Sequence, residues 1–363
     1  MSKINMDFLT PEVAVRIARR ELAEFDINDS TSLAGYFPSQ EVNDIEYEIE
    51  VGADAGFITA ANWRAFNGNT TSEVWGGGQK SRGRIMPLAR NFTLDEESAL
   101  RMRNDSQAMI ERESAMLVRR AARAIAIAVN IQRANALQNG RVEINGSGGL
   151  RQTVDFGRDK RLNLTASKLF SDPSADPLAQ IEEWTDLYEE INGFRPEQVM
   201  IPTPVLRQIN QHKNVVLAAT GNEHKPRATQ SELQTLFSEY RLPDIVATPR
   251  SLVQVDNLET GKTERKELFD QTSILFTPKT GDPRDPNSSV YGRTLWGKTM
   301  TAELPEFRSI GEAGLPGIVA AVIEEGWPYH KEVIADALAM PVAFNANYTL
   351  KAKVIEDQKP NNQ

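Results

Sequence analysis

Residues 93–140 read TLDEESALRMRNDSQAMIERESAMLVRRAARAIAIAVNIQRANALQNG, and no Gly or Pro occurs between Pro87 and Gly140. Thr93-Leu94-Asp95-Glu96 has the form of a capping box, in which the Thr hydroxyl meets the N3 amide and Glu96 reaches back to the Thr amide. Asn139-Gly140 is a helix stop. The stretch predicts one helix of about 45 residues, roughly 65 Å long at 1.5 Å per residue. Asp95, Glu96, Glu97 and Asp105 lie early and Arg112, Arg119, Arg120, Arg123 and Arg133 late, so the charges match the helix dipole. Met102, Met109 and Met116 recur every seven residues, beside Ile110 and Leu117. After Arg120 the apolar positions Ala121, Ala122, Ala124 to Val129 and Ile131 nearly encircle the axis. That half is expected to be buried or to face another subunit.

Upstream the period changes to two. Ile45, Tyr47, Ile49 and Val51 alternate with Asp44, Glu46, Glu48 and Glu50, a strand with one apolar and one acidic face. A loop rich in Gly and aromatics follows, with Phe57, Trp63, Phe66, Trp75 and Gly76-Gly77-Gly78. Then Lys80, Arg82 and Arg84 alternate in turn. An acidic-faced and a basic-faced strand predict a two-stranded antiparallel projection, with Glu50 nearest Lys80 and Glu46 nearest Arg84. Such a projection cannot bury Trp63, Phe66 and Trp75 by itself, so these should dock on another subunit or on a separate partner protein that decorates it. The first segment, to about Phe37, reads as an arm. Thr10-Pro11-Glu12 starts a helix whose apolar stripe is Val13, Ile17 and Leu22 with Ala14 and Ala18.

Downstream, residues 141–169 read as strands around Gly146-Ser147-Gly148-Gly149. A compact α/β region follows. Asp176-Pro177 opens a helix that stops at Asn192-Gly193, and Gln198 to Ile201 is a buried-type strand. Thr229-Gln230-Ser231-Glu232 is a second capping box, opening a helix to about Tyr240. Asp244 to Ala247 is a strand, Leu252 to Phe269 a hairpin turning at Glu259-Thr260-Gly261, and Ser273 to Phe276 a strand. From about Tyr291 the chain is strand-like, most clearly at Ile318 to Ile323 and Val342 to Val354. The tail from Asp357 is polar and expected to fray.

Composition narrows the chemistry. The 363 residues suggest about two domains. Hydrophobic residues are 40% and charged residues 25%, which fits a globular chain. The net charge of −9 argues against a dedicated nucleic-acid reader. The absence of cysteine removes disulfides, thiolate metal sites and cysteine nucleophiles, and fits folding in a reducing cytosol. No apolar run approaches a membrane span, and Asp7 stands where a signal peptide would carry its apolar core, so a soluble chain not exported by that route is expected. The three histidines, His212, His224 and His330, have no zinc-site spacing, and no nucleophile elbow is present.

Some motifs compete with a purely structural reading. Gly292-Arg293-Thr294-Leu295-Trp296-Gly297-Lys298-Thr299 matches a phosphate-binding loop, with Lys298 for the phosphates and Thr299 for Mg²⁺. Pro305 arrives too soon for the helix such a loop must open, and Leu295 and Trp296 are bulky where a phosphate should sit. The row Asp44, Glu46, Glu48, Glu50 could bind Ca²⁺ or serve as paired catalytic acids, but strand alternates lie roughly 6.8 Å apart, loose for one metal. It is expected to be a charge-paired or solvated face. The late helix arginines could touch DNA but more often such residues pair with carboxylates or stay hydrated. No catalytic, cofactor-binding or metal residue is expected.

The order of arm, projection, spine helix, α/β region and returning strand resembles the major capsid protein of tailed bacteriophages, an α+β Hong Kong 97-like fold. More narrowly, it resembles the lambda-type capsid E family. The resemblance rests on Asn69-Thr70-Thr71-Ser72-Glu73 before the basic strand, Thr229 to Ala247, Tyr291 to Gly297, Ala339-Met340-Pro341-Val342, and Tyr348 to Val354. It implies an N-terminal arm at 1–41, an E-loop at 42–92 and a peripheral domain with the spine helix at 93–172. An axial domain at 173–300 and a return to the peripheral domain with the tail at 301–363 complete it. It also implies a non-enzymatic subunit of an icosahedral virion head, forming hexamers and pentamers, assembled in the bacterial cytoplasm around double-stranded DNA contacted without sequence preference. Fewer than 45 residues precede the projection, so scaffolding is expected from a separate protein, beside a portal and a possible decoration protein. In some relatives a loop lysine bonds to a neighbour's asparagine; Lys80 with Asn345 or Asn347 would be that pair here. The alternatives are an encapsulin-like compartment and, from another class, a nucleotide-dependent enzyme built on the phosphate-loop match.

Overall fold

The computed structural model describes residues 3–4, 9–51, 79–94, 97, 107–146, 149–222, 224–248, 250–256, 262–308, 316–325 and 330–356. In chain order the strands and helices begin with β1 (Lys3–Ile4), α1 (Pro11–Asn28), β2 (Ser39–Glu41), β3 (Glu46–Val51), β4 (Gln79–Arg84), β5 (Met86–Leu94) and α2 (Gln107–Asn139). Next come β6 (Arg141–Asn145), β7 (Arg151–Asp155), β8 (Asn163–Thr165), α3 (Pro177–Asn192), β9 (Gln198–Pro202), α4 (Thr203–Gln211), α5 (Lys213–Thr220) and α6 (Gln230–Glu239). The rest are β10 (Asp244–Thr248), β11 (Leu252–Asp256), β12 (Thr263–Glu267), β13 (Ser273–Thr277), β14 (Gly292–Gly297), α7 (Pro305–Arg308), β15 (Val319–Glu325), β16 (His330–Ala343) and β17 (Leu350–Lys353). The chain forms two compact units. The first takes described residues of 1–48, 82–133 and 280–342, and the second those of 49–81, 134–279 and 343–363.

The first unit is built on a sheet of order β1-β15-β16-β14-β2, with β5 also paired to β16. Strand β16 can hold several neighbours because it is 14 residues long; its side chains alternate in burial from Glu332 to Ala339 and are all buried from there to Ala343. Ala14 and Ala18 of α1 and Val118, Ala122, Ile125 and Val129 of α2 pack on Val322, Val333, Ala335 and Ala337. Small residues at these contacts let helix and sheet approach closely. The segment expected as an arm is built into this unit. Leu33, Ala34, Tyr36 and Phe37 are buried, and Asn130 of α2 grips it by accepting from Leu33 N (2.9 Å) and donating to Thr31 O (2.8 Å). The buried stripe of α1 is Pro11, Ala14, Val15, Ala18 and Phe25 rather than one through Val13, which is exposed. The observed set follows i, i+3, i+4, i+7, and Val13 lies one residue off that face.

The expected start of the long helix is also corrected. Thr93 and Leu94 belong to β5, opposite Glu332 and Lys331 of β16. Their ladder pairing to β16 holds Thr93 extended within the sheet, so it does not serve as an N-cap. The described helix starts at Gln107, and Asp95, Glu96 and 98–106 lie outside the described residues. Its end is as expected, at Gly140 with φ of 64°.

The second unit holds a sheet of order β10-β9-β13-β17-β8. Its core joins Ile181, Trp184 and Tyr188 of α3, Val199 and Ile201 of β9, Leu233 and Phe237 of α6, Ile274 and Phe276 of β13, and Leu350 and Ala352 of β17. Helix α3 begins where Asp176 Oδ1 accepts from Ala179 N and stops at Gly193, φ 78°. The capping box at Thr229 is complete, with Glu232 accepting from Thr229 N and Thr229 Oγ1 from Glu232 N. The Lys225 ammonium and the Thr229 donors hold the Glu232 carboxyl down to about 2. The expected strand Val342–Val354 is two strands. β16 ends at Ala343, a turn occupies Ala346–Tyr348, and β17 then pairs with β13 and β8. The described residues from Thr280 to Val342 fall in the first unit. Two hairpins, β6–β7 and β11–β12, form separate two-stranded sheets.

Candidate assembly surfaces

The charged projection is the clearest surface that the sequence marks. Strands β3 and β4 pair as a two-stranded sheet. Ile85 N donates to Ile45 O (2.9 Å), Arg84 Nη2 lies 3.1 Å from Glu46 Oε1, and Arg82 Nε lies 2.8 Å from Glu48 Oε2. The paired positions step in opposite directions along the two strands, as an antiparallel register requires. All four charged side chains are exposed, so each pair contributes about 0.2–1 kcal/mol at most. The side chains of Glu50 and Lys80 lie outside the described residues. On the other face Tyr47 is buried and covers Gly83, where a Cβ would overlap the phenol. Burial pushes the Tyr47 hydroxyl up to about 12. Phe57, Trp63, Phe66, Trp75 and Gly76–Gly78 lie outside the described residues.

The spine arginines divide. Arg123 reaches Asp29 (3.0 Å) and Glu21 (3.4 Å), and Arg133 is buried against Asp26. Arg112, Arg119 and Arg120 are exposed, as are Met109 and Met116, while Ile110 and Leu117 are half-buried. Asn347, a candidate for a covalent bond to Lys80, has its Oδ1 held by Asp159 N at 2.7 Å. That is an ordinary structural role within the second unit.

The phosphate-loop match is overturned. Gly292–Gly297 is strand β14, parallel to β2 with Thr294 opposite Ser39. Thr294 N donates to Pro38 O, so the backbone serves the sheet rather than an anion. Gly292 is required by packing, since a Cβ there would meet Val342 O and the Phe37 ring. Trp296 is buried with Nε1 donating to Ser39 Oγ, Thr299 is buried, and Lys298 pairs with Glu303 at 2.5 Å. Among the described residues no group of three or more His, Asp or Glu could hold a metal ion, and no helix is long and apolar enough to cross a membrane.

Sequence reasoning did not single out two surfaces of the second unit. One is the groove beside α3 and β8, lined by Leu164, Trp184 and Leu187 and by Glu183, Asp186 and Glu190. The other is the β11–β12 hairpin, in which all five residues of β12 are exposed. Their signal is weak because each is an edge, and edge character depends on sheet order rather than on local sequence.

Solved structures share this architecture. A crystal structure assigned as a capsid protein of a prophage of E. coli CFT073 matches with a TM-score of 0.62 at 16% identity, covering 98% of this chain and 100% of that one. A crystal structure of a phage-related protein from Bordetella bronchiseptica RB50 matches at 0.55 and 15%, covering 95% and 97%. The fold is the α+β fold of phage capsid proteins of the Hong Kong 97 type. Residues 35–282 match the family described as phage major capsid protein E, and the chain belongs to that family. It is a structural subunit of a phage shell, a virion component that associates with itself. A search of curated protein sequences finds no match.

Proposed function

We propose that copies of this chain build hexamers and pentamers that close into an icosahedral head around double-stranded DNA. Residues 173–279 of the second unit serve as the axial part around each ring centre. The first unit, with the spine helix, is the peripheral part, and β3–β4 with the residues between them reaches a neighbour. The role is mechanical and involves no catalysis. Scaffolding and portal proteins are separate chains, a decoration protein can attach outside, and assembly takes place in the bacterial cytoplasm. DNA is touched without sequence preference, and the net charge of −9 keeps the lining from gripping it.

The observation that carries this reading is the family match over 35–282. Exposed Met109 and Met116 on the spine helix add to it, because neighbouring copies would cover them. Electron microscopy of the purified chain, alone and with a candidate scaffold, should show rings or closed shells. A persistent monomer in light scattering at high concentration under both conditions would count against it.

A further inference from the structure

Two β edges of the second unit are complementary in chemistry. The first is β8. It ends its sheet, with β17 as its one strand neighbour among the described residues. Just beyond it, Gln180 of α3 donates from Nε2 to Lys168 O (3.1 Å). The Gln180 side chain lines the groove between them; it is 7% exposed, and its Oε1 has no hydrogen-bond partner among the described residues. The groove is acidic. Asp186 and Glu190 already meet Arg195 (3.1 Å) and Arg161 (3.4 Å), and Glu183 is exposed.

The second edge is the β11–β12 hairpin. It has no further strand beside it among the described residues. A lone two-stranded hairpin is marginal in water, and an open edge is a template for another chain. Arg265 and Lys266 are exposed on β12, while Glu267 is held by Arg250 at 2.6 Å. On the face of Thr263, Arg265 and Glu267 this leaves Arg265 as the charge on offer.

We infer that β12 of one copy adds to the β8 edge of a second copy, with Arg265 against the Glu183 carboxylate. The inference rests on the reading of the chain as a ring-forming shell subunit. Both surfaces belong to the same chain, and one contact covers both open edges. This favours a second copy over a foreign peptide. The contact is heterologous: each copy gives its hairpin to one neighbour and its groove to the other, and repetition closes a ring. Strand addition supplies the backbone bonds, and the Arg265–Glu183 pair sets register.

The test is charge exchange, with folding of each variant checked by circular dichroism. Arg265→Glu and Glu183→Arg should each raise the protein concentration needed for assembly about tenfold or more, because like charges then face each other. The double variant should restore assembly. An equimolar mixture of the two single variants should restore only rings with an even number of copies, since every hairpin meets an opposite groove only when the variants alternate. Shells formed equally well by wild type and both single variants would overturn this contact while leaving the shell function intact. A wild-type chain that stays monomeric would overturn both. If a charge variant misfolds, Thr165→Cys with Thr263→Cys decides. The chain has no other cysteine, so oxidation should give a ladder of linked copies, and monomers alone would overturn the contact.

Discussion

Arg133 and Asp26 form a two-pronged ion pair almost without access to solvent: Nη1 lies 2.6 Å from Oδ1 and Nη2 3.3 Å from Oδ2, with side chains 1% and 9% exposed. The same guanidinium donates from Nε to Thr294 Oγ1 (2.9 Å), which donates to Phe37 O (3.0 Å). Stretches far apart in sequence are tied at one point of the first unit. Removing one partner strands a buried charge, so Asp26→Ala should cost about 3–5 kcal/mol in urea denaturation. Replacing both, as Asp26→Leu with Arg133→Met, should recover most of that loss. A double variant as unstable as the single would mean that the pair is not what Asp26 contributes.

The Arg82–Glu48 pair lies within one chain. Glu48→Lys should change the stability of the free chain by about 1 kcal/mol or less, yet lower the yield of shells by disturbing the projection's register. Adding Arg82→Glu should restore the yield. Mixing the two single variants should not, and shell counts by electron microscopy that show rescue on mixing would relocate the pair to a subunit boundary.

Acid should loosen the second unit through Asp270. Burial works against ionisation of this carboxyl, but donation from Thr272 Oγ1 (2.6 Å), Thr272 N (2.9 Å) and Lys351 Nζ (2.9 Å) outweighs it. Its folded pKa therefore lies below the ordinary value of 3.8. The stability it contributes is present above that value and is lost as pH falls below it. Asp270→Asn should lower the urea midpoint at neutral pH and flatten its decline between pH 4 and pH 2, roughly the range in which a depressed carboxyl titrates. An acid limb identical to wild type would rule out this role.

Lys298→Ala should leave shell formation intact and cost about 1 kcal/mol or less, the scale of a partly exposed ion pair with Glu303. Calorimetry should detect no ATP binding in either protein. ATP binding by wild type that disappears in the variant would revive the nucleotide-binding reading.

Elements whose signals are local could be read from the sequence. Asp176-Pro177 and Asn192-Gly193 bracket α3 because a cap, a fixed φ and a left-handed stop act within a few residues. The alternating charges of Glu46, Glu48, Arg82 and Arg84 gave the register of β3–β4 for the same reason. Thr93 failed because a capping box also fits a strand when a distant partner, here Glu332, claims the backbone. Arg133 reads in the sequence only as one of the late helix arginines that pair with some carboxylate, and nothing near it announces that the partner is Asp26, 107 residues away. The helices α4 and α5 went unread. They are short, and the Thr203-Pro204 start carries no side-chain cap.

The interleaving of the two units also sets a schedule for synthesis. At about 5–20 residues per second, a ribosome needs roughly 20–70 s to reach residue 342. Until then β16 does not exist, and α1, β5 and the first part of α2 have no sheet on which to bury their apolar faces. Neither unit can close early, so an incomplete chain cannot offer a finished contact to its neighbours on the same messenger.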